Sequence, residues 1–210
     1  MTFFKTRIAA FCLFGYLGTS LFAQSPINLP AQVGATESAK PFTVGEKFDY
    51  RVVQSFGLRG FAGGLVGAAI GQGLDSPSEW GQGVEGFAKR YGSSVGGNLT
   101  RQSMEFVMES ALHEDPRYFP SEEKGFKARI KNVLLQTIVA RTDSQGHRIA
   151  YGRIVSAFAN AQLVNTWQPA STDSVGNGVL RGFTTLGSDL GYNFLQEFVP
   201  FMRPKTLRHH

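Results

Sequence analysis

The spacing of the apolar residues is the feature that most restricts how this chain can fold. From Phe42 onward, apolar residues recur every three or four positions, which is the period of one face of an α-helix. The clearest run is Val179, Phe183, Leu186, Leu190 and Phe194. No segment alternates apolar and polar residues over a length that would indicate a β-strand. The pattern therefore predicts an all-α fold, with five or six helices in a single domain.

Helix start and stop signals divide this domain into segments. The predicted helices cover 44–56, 56–74, 76–111, 126–138 and 149–167, and a last helix runs from a cap within 171–173 to Pro200. Ser76 is placed to cap the third helix, with Pro77 in its first position and Glu79 completing a capping box. That helix either continues through Gly96 and Gly97 or breaks there. Composition predicts a turn over 143–146.

The first 23 residues have the layout of a secretory signal peptide. Lys5 and Arg7 precede an uncharged apolar run of about 15 residues, which is shorter than the roughly 20 residues of a spanning helix. Cleavage after Ala23 would remove Cys12, the only cysteine, and leave a mature chain without disulfides. We therefore predict export to the periplasm or to an envelope membrane. A flexible linker is predicted over 24–41, the helical domain over 42–203 and a disordered tail over 204–210.

The charge balance bears on the class of partner. The chain has 21 basic and 16 acidic residues, and removal of Lys5 and Arg7 leaves 19 basic against 16 acidic, or +3. The basic residues are scattered, whereas a nucleic-acid binder concentrates them on one face, so we predict no nucleic-acid partner. The small positive excess is compatible with weak attraction to anionic lipid headgroups.

Glycine is unusually frequent for a helical chain, because a glycine in a helix interior costs about 1 kcal/mol relative to alanine. Six pairs of glycines stand four positions apart and so share a helix face: 60/64, 63/67, 67/71, 92/96, 178/182 and 187/191. This spacing lets a second backbone approach closely, and in lipid it drives helix association. The predicted helix-packing residues are Gly60, Gly63, Gly64, Gly67, Gly71, Gly178, Gly182, Gly187 and Gly191.

Three interpretations of the nearly uncharged segment 56–74 stay open. It is a membrane-embedded hairpin, a small-residue helix packed inside a soluble bundle, or a segment partly inserted into a membrane surface. A mean hydropathy of −0.12 favours the soluble bundle over an integral membrane protein. Arg59, Arg181 and Asp189 favour it too, because they lie inside the helices that would have to span.

Two polar clusters are the candidate chemical sites. His113, Asp115 and Arg117 follow the long helix and are the candidate catalytic residues. His113, Asp115, Asp143 and His147 form a His/carboxylate set that would suit zinc or iron if the turn lies beside the helix end. A structural explanation is favoured, because a histidine near a helix C-terminus is stabilised by the helix dipole and an aspartate commonly starts a turn.

Three stretches resemble a group of uncharacterised exported bacterial proteins of about this size. They are Glu79 to Gly83 followed by Lys89 to Gly92, His113 to Phe119, and Arg141 to Asp143. The resemblance would cover most of the mature domain and implies a single domain, but it implies no activity, ligand or catalytic residue.

Function is therefore predicted only in outline. Motifs for a nucleophile elbow, a phosphate loop or a dinucleotide site do not appear in the sequence, and we predict no cofactor. The favoured hypothesis is an exported envelope protein with a structural or interaction role at or near a membrane, with membrane lipid or another envelope protein as its partner. A homo-oligomer is compatible with the glycine pattern. The alternatives are an exported metal-binding protein or hydrolase, and an integral helical membrane protein packed through its glycines.

Overall fold

A computed structural model describes residues 40–202 of the chain. Within that range the helices are α1 (Val44–Phe56), α2 (Leu58–Gly73), α3 (Gly83–Ala111), α4 (Phe126–Ile138), α5 (Tyr151–Val164) and α6 (Val175–Phe198). Strands β1 (Val139–Arg141) and β2 (His147–Ile149) lie between α4 and α5, and short 3-10 turns cover Ser78–Trp80, Asn165–Trp167 and Pro200–Met202. The fold is all-α, as predicted. The predicted signal peptide, nearly all of the linker and the tail lie outside the described residues.

The helix starts are set by local hydrogen bonds. Thr43 and Glu46 form a capping box at α1: the Thr43 hydroxyl accepts from the Glu46 N–H at 3.3 Å, and the Glu46 carboxylate accepts from the Thr43 N–H at 2.7 Å. Helix α6 begins after Ser174, whose hydroxyl accepts from the Asn177 N–H at 3.1 Å. The predicted bounds of α1 and α4 are correct, while the cap of α6 lies just after the predicted 171–173.

The predicted start of the long helix is wrong. Ser76 makes no capping box, and a 3-10 turn follows it. Gly81 and Gly83 have positive φ values of 68° and 81°, outside the right-handed helical region, so the helix cannot extend back through them and α3 begins at Gly83. The helix then passes through Gly96 and Gly97 without a break.

The hairpin was not predicted. Strands β1 and β2 pair antiparallel, with Val139 opposite Ile149 and Arg141 opposite His147. The predicted turn over 143–146 lies between them. Three residues per strand are too few to produce a recognisable alternation of apolar and polar side chains, which is why the pattern gave no strand signal.

Helix α3 is the axis of the bundle. Helices α1 and α2 follow it on one side in the opposite direction, and α5 packs on its other side. Helix α6 packs on α5, and α4 packs on α6. Glycines allow two of these close approaches: a Cβ on Gly97 would stand 3.3 Å from Val164, and one on Gly182 only 2.4 Å from the Phe158 ring.

Burial in this bundle is reversed from that of an ordinary soluble domain. Among residues 40–202, 20 polar or charged residues are buried against 11 hydrophobic ones, and five of those 11 are alanine. No leucine, isoleucine or methionine of the described range is fully buried. In the same range 24 large hydrophobic side chains are exposed. Helices of soluble proteins normally turn their apolar stripe toward the core.

Because burial is reversed, the apolar stripes do not mark the buried faces of the helices. They mark helices, as predicted, but several of them face outward: Phe48 is 52% exposed and Phe183 is 61% exposed. The faces that meet inside the bundle carry glycine, alanine and charged residues instead. By length and hydropathy, no helix between residues 40 and 202 qualifies as a membrane span.

We expect alanine to have opposite effects at two glycines of α6. Gly182→Ala should lower the free energy of unfolding by about 1–3 kcal/mol, because its methyl group would collide with the Phe158 ring. Gly187→Ala is the matched control: open space surrounds its Cβ position, so better helix propensity should raise stability by up to about 1 kcal/mol. Thermal unfolding followed by circular dichroism measures both, and equal effects would contradict the packing described.

Candidate functional site

A buried ion cluster occupies the middle of the bundle. Arg51 of α1 donates to Glu105 of α3 at 2.5 Å through Nη1 and to Glu109 at 3.0 Å through Nε. Its Nη1 also donates to the Gln102 side-chain oxygen at 2.9 Å. All four residues are buried, so the arginine bonds three successive turns of α3 away from bulk solvent. Charge-assisted bonds of this kind are about twice as strong as neutral ones and fix geometry as well.

A second arginine continues the cluster to α6. The Nη2 atom of Arg101 lies 2.7 Å from Glu105 and 2.5 Å from Asp189. Arg59, at the start of α2, reaches the other oxygen of Asp189 at 3.2 Å. Four helices are thereby joined by one chain of alternating charges, which we call the ion cluster: Arg51, Arg59, Arg101, Glu105, Glu109 and Asp189.

The pKa values in the ion cluster reflect competition between burial and opposite charge. Burial opposes the charge of Arg51, but Glu105 and Glu109 outweigh it and raise the pKa of Arg51 above its ordinary value. Burial likewise disfavours ionised Asp189, yet Arg101 and Arg59 prevail and lower the pKa of that carboxyl. Burial raises the pKa of Glu109, against the opposing charge of Arg51. The cluster is stable as ions only while every member stays in place.

A small polar cavity lies against the ion cluster. Its volume, counted as space for water centres, is about 20 Å³. Arg59, Arg101, Asp189 and Asn193 line it together with Tyr118. A cavity of this size has room for about one water, and its lining offers the polar partners that a water needs.

His113 is a helix-end residue. It has φ 56°, the left-handed conformation usual just after a helix, and the next N–H, that of Glu114, donates back to the Glu109 carbonyl at 2.9 Å. This is the Schellman arrangement, which normally has glycine at the position of His113. The imidazole points outward and is 78% exposed. The turn redirects the chain so that the following residues enter the interior.

Glu114 caps another helix from the side. Its two carboxylate oxygens accept from the N–H groups of Tyr151 at 3.1 Å and Gly152 at 2.9 Å, at the start of α5, and Arg148 lies 3.4 Å away. A carboxylate at a helix N-terminus is favoured by the unpaired N–H groups there. Burial nevertheless raises the pKa of Glu114 to about 7. Gly152 must be glycine here, because a Cβ would stand 2.8 Å from Glu114 and from Glu109.

The other ionisable side chains of the 113–119 stretch are paired within the bundle. Asp115 pairs with Arg117 at 2.6 Å, and the Arg117 guanidinium also stacks over the Phe42 ring at 3.9 Å. The Tyr118 hydroxyl donates to Glu197 of α6 at 2.6 Å. Every residue from 114 to 119 is buried. Of the candidate catalytic residues, only His113 faces solvent.

The four predicted metal ligands do not come together: His113 lies beside Asp143, whereas Asp115 and His147 have other neighbours. His113 Nδ1 lies 3.5 Å from the Asp143 carboxylate, which Lys47 holds at 2.9 Å. Asp115 is engaged by Arg117, and His147 lies on β2 opposite Arg141. Across residues 40–202, no group of three or more histidine, cysteine, aspartate or glutamate side chains is arranged to hold a metal ion.

The glycines singled out by spacing fall into two groups. A Cβ on Gly64, Gly67 or Gly71 would meet α3 side chains at 3.1–3.4 Å, and one on Gly178 or Gly182 would meet α5 side chains at 2.4–2.7 Å. A Cβ on Gly60 would collide with the Ser55 carbonyl, where α1 turns into α2. Gly63, Gly187 and Gly191 face open space. The same spacing thus serves internal packing at some positions and lies on the outside at others.

The ion cluster was not predicted from the sequence, although a signal for it exists. Polar residues follow a helical period along α1 (47, 51 and 54), α3 (98, 102, 105 and 109) and α6 (189, 193 and 196). A polar stripe is usually the solvated face of a helix, so its period alone does not identify an interior.

Removing the central arginine should be strongly destabilising. Arg51→Met leaves buried Glu109 without its counter-ion and leaves Glu105 with Arg101 alone, and we expect a loss of about 3–5 kcal/mol in the free energy of unfolding. Adding Glu105→Gln and Glu109→Gln to Arg51→Met should recover part of the lost free energy of unfolding. Lys89→Met is the control, because its ion pair with Glu85 is exposed and is worth at most about 1 kcal/mol. Chemical denaturation measures all four proteins, and similar losses for Arg51→Met and Lys89→Met would contradict the cluster's role.

Glu114 should give the bundle a pH dependence of definite sign. The unfolded chain releases this proton near pH 4.5, whereas the folded chain keeps it until about pH 7. The contribution of Glu114 to stability is therefore greatest below pH 4.5 and declines as the pH rises toward 7. Thermal unfolding between pH 5 and pH 8 should show a larger fall in Tm for the wild type than for Glu114→Gln. Parallel curves for the two proteins would contradict the shifted pKa.

The chain was also compared with known proteins. No family model, no curated protein and no solved structure matches it. The resemblance of the 79–83, 89–92, 113–119 and 141–143 stretches to exported bacterial proteins therefore stays a prediction. The basis for a functional proposal is the geometry of the bundle itself.

Proposed function

We propose that this chain is an exported envelope protein with a structural or interaction role at a membrane, and that membrane lipid is its partner. The observation that carries the proposal is the reversed burial. Charged side chains fill the interior of the bundle, and 24 large hydrophobic side chains of residues 40–202 lie outside. Exposed apolar patches beyond a few hundred Å² mark protein or membrane interaction sites.

The apolar exterior and the charged interior are both consistent with a lipid environment. Each Å² of apolar surface left in water costs about 25 cal/mol, so an exterior of this kind favours any setting that removes it from water. Lipid tails supply no hydrophobic force between helices, and association there depends on close packing and on polar contacts between helices. The bundle has both: glycine contacts between α2 and α3 and between α5 and α6, and the ion cluster.

The predicted leader fits this proposal. A secretory signal peptide would direct the chain to the envelope, where a membrane surface is available. An envelope location without cysteines in the mature chain places the burden of stability on packing and on ionic contacts. The partly buried Lys47–Asp143 and Arg129–Glu197 pairs connect α1 to the hairpin turn and α4 to α6, in place of covalent links.

Cell fractionation tests this proposal. The full chain is expressed in a Gram-negative bacterium, and the periplasm is released by osmotic shock before the membranes are washed with high salt and with alkaline carbonate. We expect the mature chain in the membrane fraction after the salt wash, because apolar contacts are not screened by salt. A chain lacking residues 1–23 is the control and should stay in the cytoplasm. Quantitative release of the mature chain with the shock fluid would overturn the proposal.

A further inference from the structure

The exposed surface of α2 contains no charge. From Val52 in α1 to Leu74 after α2, every exposed residue is a valine, phenylalanine, leucine, isoleucine, alanine or glycine. The one ionised side chain in this stretch, that of Arg59, turns inward to Asp189. The helix therefore presents hydrocarbon along its whole length of about 24 Å, at 1.5 Å per residue.

Helix α6 has the same character. Its exposed residues are valine, leucine, phenylalanine and glycine, with Thr184 and Ser188 as the two polar exceptions. Both hydroxyls donate to backbone carbonyls of their own helix: Thr184 to Arg181 and Ser188 to Thr184, each at 2.9 Å. The surface thus offers no unsatisfied donor to its surroundings.

One side chain links the two surfaces. The Arg59 guanidinium at the start of α2 bonds Asp189 of α6 and stacks over the Tyr192 ring at 3.7 Å. This is a point contact between helices that pack on α3 and on α5 respectively, and we use the name α2–α6 surface for the two apolar exteriors taken together. Exposed charges border it at both ends. Asp75, Glu79, Glu85 and Lys89 lie near the end of α2, and Lys124, Lys127 and Lys131 lie near the end of α6.

The length of the apolar surface matches the thickness of the hydrocarbon core of a bilayer. The uncharged exposed residues of α6 run from Val175 to Leu195, a length of about 30 Å at 1.5 Å per residue. The hydrocarbon core of a bilayer is about 30 Å thick, with charged headgroups on both sides. The uncharged surface between two charged borders thus corresponds to the hydrocarbon core between the two headgroup layers.

We propose that the α2–α6 surface is covered by lipid acyl chains. The proposal rests on the membrane role proposed above and names the surface that carries it. A second copy of the chain or another protein fits less well, because protein interfaces contain about one hydrogen bond per 100–200 Å². The α2–α6 surface has two hydroxyl groups, and both already donate within their own helix.

Nitroxide labels test the covering directly. Single cysteines replace Val66, Phe183 or, as the control, Val84, in a Cys12→Ser background. Val84 is an equally apolar side chain, 88% exposed, but it lies among the charges at the end of the bundle. The full-length proteins are labelled and reconstituted in phosphatidylcholine–phosphatidylglycerol vesicles, and relaxation by oxygen and by a water-soluble nickel chelate is measured. We expect labels at 66 and 183 to be reached by oxygen and not by nickel, and the label at 84 to be reached by nickel.

The other outcomes overturn the inference. Labels at 66 and 183 that neither reagent reaches would mean that protein covers the surface, as in a homo-oligomer. Labels that nickel reaches would mean that the surface faces water. Either result can occur in a chain that fractionates with membranes, so the inference can fail while the membrane role stands.

Charge substitutions provide a second measurement on folded protein. Val66→Lys and Phe183→Lys each place an ammonium in the α2–α6 surface, and we expect at least a tenfold loss of vesicle binding in flotation. Val84→Lys should bind like the wild type. Circular dichroism identifies variants that have lost their helices, and unchanged flotation of the folded Val66→Lys and Phe183→Lys proteins would overturn the inference.

Discussion

The contact between Arg51 and the carboxylates of Glu105 and Glu109 is the interaction on which the rest of the bundle depends. It is buried from bulk solvent, so any charge left without its partner there would carry a large free-energy penalty. Arg101 and Arg59 extend it to Asp189, and in doing so they fix the position of α6 relative to α1, α2 and α3. An apolar core tolerates small shifts of its helices, whereas a buried network of charge-assisted hydrogen bonds specifies one arrangement.

The helices could be predicted from the sequence because the period of an amphipathic pattern does not depend on which face is inside. Phe183 and Phe194 marked α6 correctly, and Phe48 and Val52 marked α1. The same period could not show that these residues face outward, because polar stripes such as 102, 105 and 109 also repeat at a helical spacing. Only the contacts between helices, which are distant in sequence, decide between the two faces.

The 113–119 stretch illustrates the same limit for a candidate site. Its density of ionisable groups indicated a candidate catalytic or metal site. In the structure most of those groups are buried and paired, so their role is structural. Glu114 caps α5, Asp115 holds Arg117, and Tyr118 reaches Glu197. The hairpin that receives this stretch escaped prediction because its strands have three residues each. A charged segment that follows a helix end can be a connector between three other helices as readily as a catalytic centre.

The buried polar stripes also restrict the order in which this protein can assemble. Helix α3 on its own would expose Glu105 and Glu109 to any hydrocarbon around it, and α6 would expose Asp189 and Glu197. Transfer of unpaired ions into lipid is too costly for a helix to enter alone and find its neighbours afterward. In the membrane setting proposed above, the charges would have to be paired first, so the bundle would reach the membrane as a closed unit and remain one there. The bundle would then unfold or leave the membrane as a whole, and single helices would not be released from it.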